Sequence, residues 1–117
     1  MGTYLNKFYI VKPDKPVEFQ VEIGFGQRAE SSVYLNDKKI GDVWRDSFSL
    51  VVSKTGKDIK RQILHCTTMV TDERVETNET SVTFHLKGGR KEIKETLQSA
   101  VEKQGDVKFY VLDVEFI

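Results

Sequence analysis

The segment QILHCTTMVT at residues 62–71 places the only cysteine of the chain beside one of its two histidines. A thiol next to an imidazole is what a cysteine nucleophile or a soft-metal site would use. The segment nevertheless has the pattern of a β-strand, in which neighbouring side chains point to opposite faces. We therefore expect Cys66 to be a small buried hydrophobe and His65 to lie outside, rather than the two forming one active site.

This segment also has a candidate hairpin partner. Residues 59–71 and 79–87 flank the polar stretch DERVETN, and a turn centred near Val75 would pair them antiparallel. The register that keeps apolar residues on one face is then well determined, because a one-residue slip would mix the two faces. The pairs expected on the apolar face are Leu64 with Leu86, Cys66 with Phe84 and Thr68 with Val82.

The same register sets His65 against His85 on the opposite face. Directly opposed side chains have Cβ atoms about 5 Å apart, close enough to share a divalent metal ion. The neighbouring residues Thr67, Thr83 and Lys87 supply neither carboxylate nor thiolate, so we expect no metal and no cofactor. The pair is interpreted as two solvent-facing histidines whose protonated forms would repel each other.

Composition bounds the class of protein. A chain of 117 residues fits one domain, residues 1–117, and 38% hydrophobic residues without a membrane-length apolar run predict a globular protein outside the membrane. The 18 basic residues equal the 18 acidic ones, which disfavours general nucleic-acid binding and suits association with a partner or with itself. One cysteine excludes an internal disulfide, and the start resembles a strand rather than a signal peptide. We expect a cytoplasmic location unless a leader has been removed.

Most of the chain predicts strands. Residues 17–25, VEFQVEIGF, alternate apolar and polar with a period of two, and residues 4–11, YLNKFYIV, predict a strand that is ended by Pro13 and Pro16. The turn formers at 36–39 predict a hairpin tip. SFSLVVS, residues 47–53, predicts another strand, and the chain then reverses at 54–57, where Gly56 suits a positive φ.

In the last third of the chain, the spacing of apolar residues changes from that of a strand to that of a helix. In residues 91–105, KEIKETLQSAVEKQG, the spacing of four apolar residues matches one helical face, and Gly105 is a good stop. The four residues are Ile93, Leu97, Ala100 and Val101. The closing stretch VKFYVLDVEF, 107–116, has apolar residues at both odd and even positions. It predicts a strand covered on both faces, either central or at a partner contact.

The pattern as a whole predicts a mainly β protein: an antiparallel β-sandwich of about eight strands with one short α-helix before the last strand. A small up-and-down β-barrel is the alternative. Because no catalytic constellation emerges, we expect no enzyme but a protein-interaction or assembly module, which associates with a partner or forms an oligomer through sheet faces, edges and hairpin tips. A small-ligand carrier with a barrel cavity is the rival hypothesis.

Aromatic side chains are the first candidates for an interface, because they often anchor protein contacts. The candidates are Tyr34, Trp44, Tyr110 and Phe116. Basic clusters at 54–61 and 87–94 are mainly solubility features and would also suit an acidic partner surface. The final strand, if its edge were unpaired, would be able to extend a neighbouring sheet.

Overall fold

The computed structural model describes residues 3–117, whose strands assemble into two β-sheets that pack face to face. The strands, in chain order, are β1 (Tyr4–Tyr9), β2 (Val17–Ile23), β3 (Arg28–Leu35), β4 (Lys38–Lys39), β5 (Trp44–Arg45), β6 (Phe48–Ser53), β7 (Ile63–Thr71), β8 (Glu79–Lys87), β9 (Ile93–Ala100) and β10 (Val107–Phe116). A 3-10 turn at Gly56–Ile59 is the one helical element of this range. Within it, no helix is long and apolar enough to cross a bilayer.

The larger sheet, which we call the six-stranded sheet, has the order β1-β10-β7-β3-β4, with β5 also paired to β3. The four-stranded sheet has the order β6-β2-β8-β9. β1 runs parallel to β10, whereas the other strand pairs are antiparallel. Both sheets are open, as in a β-sandwich, so the barrel that the ligand-carrier hypothesis assumes is wrong for residues 3–117. Carrier activity itself stays a prediction.

Alternating side chains build the core between the two sheets. In β2 the apolar side chains of Val17, Phe19 and Val21 are fully buried, and each contributes about 1.5–3 kcal/mol relative to exposure in water. β7 behaves in the same way: Cys66 is fully buried, while His65 lies on the outer face. The predicted placement of these two neighbours on opposite sides of the strand is confirmed.

Two buried tyrosine hydroxyls connect the sheets. The Tyr110 hydroxyl of β10 donates to the Thr80 carbonyl of β8 at 3.1 Å and lies 2.6 Å from the Thr80 hydroxyl. The Tyr9 hydroxyl of β1 donates to the Leu86 carbonyl at 3.3 Å and accepts from the Gly89 N–H at 2.9 Å. Each ring therefore fills the core, and its polar end meets backbone groups of the opposite sheet.

The predicted hairpin between residues 59–71 and 79–87 is wrong, because β7 and β8 lie in different sheets. β7 pairs with β10 and β3, and β8 pairs with β2 and β9. Both segments do turn their apolar faces to the core, so the expected parity holds, but the faces meet across the interior. Periodicity identifies the buried face of a strand and cannot distinguish a neighbour in the same sheet from one in the facing sheet.

The crossing from β7 to β8 is held at its base by a buried glutamine. The Gln27 amide nitrogen donates to Asp72 Oδ1 at 2.9 Å and to the Glu79 carbonyl at 3.0 Å. Its amide oxygen accepts from the N–H groups of Glu73 at 2.9 Å and Arg74 at 3.2 Å. One side chain thus satisfies both ends of the connecting loop, residues 72–78.

The predicted α-helix before the last strand is also wrong. Residues Ile93–Ala100 form β9, an edge strand paired with β8, in which Ile93 lies opposite Leu86 and Leu97 opposite Val82. A spacing of four residues places two side chains on the same face of a helix and also on the same face of a strand. Pairing with β8 decides between the two, and the missing N-terminal cap leaves the helix without support.

Three further expectations have mixed outcomes. The hairpin tip is confirmed as a two-residue turn, with Asn36 and Asp37 at φ 47° and 67°. The positive φ expected at Gly56 is wrong, and glycine is required there because a Cβ would lie 2.3 Å from the Lys12 carbonyl oxygen. β10 is central in its sheet, as one alternative held, but it is not covered on both faces, because Phe109 is 52% exposed.

Replacing Tyr110 by Phe is expected to lower the free energy of unfolding by about 1–3 kcal/mol, because the buried Thr80 carbonyl loses its tyrosine donor. Urea denaturation followed by fluorescence measures the change. Tyr34→Phe is the matched control, since that ring lies on an outer sheet face. Equal, small effects of both substitutions would contradict the role of the Tyr110 hydroxyl as a link between the sheets.

Candidate functional site

The outer face of the six-stranded sheet brings together residues that are far apart in the chain. Asn6, Asp113, His65 and Tyr34 follow one another across β1, β10, β7 and β3. In the adjacent row Tyr4, Val111, Thr67 and Ser32 are aligned in the same way. Both rows depend on the parallel pairing of β1 with β10, which places the first strand beside the last.

Four side chains of these rows form a continuous hydrogen-bonded series, which we call the polar row: Tyr4, Asp113, His65 and Thr67. The Tyr4 hydroxyl donates to Asp113 Oδ2 at 2.9 Å, and Asp113 Oδ1 lies 2.6 Å from His65 Nδ1. His65 Nε2 lies 3.1 Å from the Thr67 hydroxyl. The hydrogen bond from Tyr4, followed by desolvation and the charge of Asp113, raises the pKa of Tyr4 above its ordinary value.

The connectivity of carboxylate, imidazole and hydroxyl resembles that of an acyl-transfer triad. Such chemistry also requires hydrogen-bond donors aimed at the developing oxyanion, usually backbone N–H groups. β7 has β10 on one side and β3 on the other, so the N–H groups around Thr67 serve the two ladders within the sheet. The polar row therefore presents hydrogen-bonding groups on an accessible sheet face, and the expectation of a non-enzyme stays a prediction.

Exposed apolar side chains flank the polar row. Phe109 is 52% exposed and Val107 44%, and the ring of Tyr4, itself a member of the row, is 55% exposed. Phe109, Met69 and Thr67 border a shallow depression of about 260 Å³, and His65, Asp113 and Ile63 border another of about 560 Å³. The face thus presents apolar surface on either side of ordered polar groups.

The outer face of the four-stranded sheet has a different character. Its rows pair Glu18 with Lys87 and place Gln20, His85 and Lys94 side by side. Within the strands of this sheet, as far as the chain is described, Val51 is the one large apolar side chain that is mostly exposed, at 55%. The two outer faces are therefore unequal: one is aromatic and apolar around a polar row, and the other is polar and charged.

The predicted cross-strand pair of His65 and His85 is wrong. His65 belongs to the polar row, whereas His85 lies on the outer face of the other sheet, only 9% exposed, with Nε2 3.2 Å from Glu92 Oε2. The two imidazoles are separated by the core because their strands belong to different sheets. Residues 3–117 also contain no group of three or more His, Cys, Asp or Glu side chains placed to hold a metal ion.

The four aromatic interface candidates fall into two groups. Tyr34 is partly exposed on the outer face, with its ring centroid 6.2 Å from that of His65. Trp44 is partly buried, stacks on Phe48 at 5.1 Å and donates from Nε1 to the Ile40 carbonyl. Tyr110 and Phe116 are fully buried in the core, so the prediction of these two as interface residues is wrong.

Sequence reasoning missed Tyr4, Asp113, Thr67 and Phe109 as surface candidates. The parity of β10 carried a signal, because Phe109 and Asp113 share the face opposite the buried Tyr110. Tyr4 reaches this face only through the β1–β10 pairing. The rows across the sheet therefore become visible only once the strand order is known.

Comparisons with protein-family models, with curated proteins and with solved structures found nothing that matches this chain.

Replacing Asp113 by Asn is expected to lower the pKa of Tyr4 towards its ordinary value, because both the hydrogen bond to a charged acceptor and the nearby negative charge disappear. NMR titration of tyrosine ring carbons measures the shift. Asp42→Asn, at an exposed site, is the control. A Tyr4 titration that is identical in wild type and Asp113→Asn would contradict the geometry of the polar row.

Cys66 is expected to resist thiol reagents in the folded protein, because burial raises its pKa to about 12 and removes it from solvent. At pH 8 the modification rate should follow the small population of unfolded molecules and increase steeply with denaturant. A disulfide-exchange reagent monitored by absorbance measures this rate. Rapid, stoichiometric labelling in native buffer would show that the thiol is accessible.

Proposed function

We propose that this chain is a non-enzymatic protein-interaction module that binds a partner protein through the outer face of its six-stranded sheet. The observation that carries the proposal is the inequality of the two outer faces. On one face exposed Phe109 accompanies the polar row with its exposed Tyr4 ring, whereas the other face is predominantly polar and charged.

The physical support comes from how protein interfaces gain affinity. Large aromatic side chains contribute most when they are already held in place, because little conformational entropy is then lost on binding. The Tyr4 ring is fixed by its hydrogen bond to Asp113, and His65 is fixed between Asp113 and Thr67. A complementary partner would present apolar side chains to Phe109 and hydrogen-bonding groups to the polar row.

A face is favoured over the edge of the final strand. β10 is paired with β1 on one side and with β7 on the other, so the expectation that its edge extends a neighbouring sheet is wrong. Its outward side chains, in contrast, remain accessible: Val107 and Phe109 are each about half exposed. The final strand would therefore contribute to binding through its face.

Photo-crosslinking tests the proposal at two matched positions. Benzoylphenylalanine replaces Phe109, which is 52% exposed, or Val51, which is 55% exposed on the other sheet. Illumination in an extract of the source cells is expected to give a discrete protein adduct at position 109 and not at position 51. Mass spectrometry then identifies the partner, which is purified for binding measurements.

With the purified partner, Phe109→Asp is expected to weaken binding at least about tenfold, because it places a charge in the apolar part of the interface. Val51→Asp should leave the dissociation constant unchanged, and circular dichroism should show both variants folded. Equal losses for the two variants, or adducts that form equally at both positions, would contradict a docking surface on the six-stranded sheet.

A further inference from the structure

The balanced net charge conceals a strong polarity along the molecule. Strand pairing gathers the loops 10–16, 36–37, 54–62 and 88–92 at one end, which we call the basic end. The loops 24–27, 46–47, 72–78 and 101–106 lie at the other, the acidic end. The basic end has eight Lys and Arg against four Asp and Glu, and the acidic end has two against six. Side-chain charges of +4 and −4 therefore face opposite ways in a molecule 46 Å long.

The acidic end carries a projecting apolar side chain. Val75 is 81% exposed at the tip of the 72–78 loop, between the exposed Glu73 and Glu76. Glu73 lies 3.3 Å from Arg28, and Glu76 lies 3.3 Å from Arg74, but exposed ion pairs of this kind are weak and exchange readily. Since the buried Gln27 fixes the base of the loop, its tip is held in place before any contact is made.

The basic end carries a matching depression. Phe8, Ile10 and Ile93 supply its apolar surface, and Phe8 and Ile10 are 65% and 43% exposed. The exposed side chains of Arg90 and Lys91 border the same space, which has a volume of about 540 Å³. Glu92 lines it as well, with Oε2 3.2 Å from His85 Nε2, so the charged lining has two cations and one anion. The Arg90 N–H donates to the Ile10 carbonyl at 2.8 Å and so fixes this loop against the end of β1.

We infer that the basic depression of one molecule binds the 72–78 loop of a second copy of this chain. Val75 would contact the apolar surface formed by Phe8 and Ile10, while Glu73 and Glu76 would face Arg90 and Lys91. Charge complementarity selects this occupant, since the chain itself presents an exposed apolar side chain between acidic residues. The inference goes beyond the proposed function because it uses the two ends of the molecule, and Phe8 is the one named contact that belongs to the outer face of a sheet.

Such an association is head-to-tail. Each contact uses two different surfaces, so a pair retains one unoccupied depression and one unoccupied loop, and further copies add until a ring closes or a filament forms. The attraction between exposed charges is screened by salt, with a Debye length of about 30 Å at 0.01 M and about 3 Å at 1 M. Association should therefore be strongest at low ionic strength.

Sedimentation velocity on the full chain tests this inference with paired charge reversals. Wild type is expected to sediment as concentration-dependent oligomers at about 0.01 M salt and as a monomer at about 1 M. Arg90→Glu with Lys91→Glu, and separately Glu73→Lys with Glu76→Lys, should each weaken association at least about tenfold, because like charges then meet. Mixing the two double variants should restore it.

Two controls separate this inference from the docking face. Val75→Ser should weaken self-association without changing the charge of either end, and Phe109→Asp should leave it unchanged, because that residue lies on the sheet face. Wild type that remains monomeric at low salt, or a mixture of the two double variants that stays monomeric, would overturn head-to-tail binding. Neither result would bear on partner binding by the outer face.

Discussion

The structure depends on one constraint: each principal strand buries one of its two faces in the interior shared by two sheets. Fully buried side chains such as Phe19, Leu64 and Val114 meet there, and the hydroxyls of Tyr9 and Tyr110 reach across to backbone groups of the opposite sheet. Because alternate residues of a strand point to opposite faces, the residues that fill the core also determine which residues form the outer face. The polar row, the exposed aromatic residues and the charged outer face of the other sheet all follow from this division.

Local pattern predicted the parts of the fold that depend on local physics. Cys66 inside, His65 outside and the turn at Asn36–Asp37 could be predicted, because pleating and turn conformation involve only neighbouring residues. Strand neighbours could not be predicted in this way. β7 and β8 each have a good apolar face, and only the three-dimensional arrangement shows that these faces meet across the core instead of adjoining in one sheet. The prediction of a helix at β9 is wrong because hydrogen-bonded pairing with β8 outweighs the weakly helical spacing of the apolar residues.

Neither the polar row nor the two charged ends could be predicted from the sequence, because both depend on which distant segments lie side by side. The polar row joins Tyr4 to Asp113 and Asp113 to His65, across sequence separations of 109 and 48 residues. The net charge likewise gives no sign of the separation between a basic and an acidic end, because a total does not say where in the structure each charge lies. A neutral chain whose loops are sorted by charge between its two ends has a large dipole, which favours oriented association more than a uniformly neutral surface would.

Backbone NMR of the folded protein tests this arrangement most directly. Cross-strand nuclear Overhauser effects are expected between residues 64–70 and both 108–114 and 29–35. They are also expected between residues 82–87 and 18–23, and between residues 80–86 and 93–99. That pattern would place β7 and β8 in separate sheets. A ladder of such effects joining residues 64–70 directly to residues 80–86 would contradict the account, and with it the positions of the polar row and of the two charged ends.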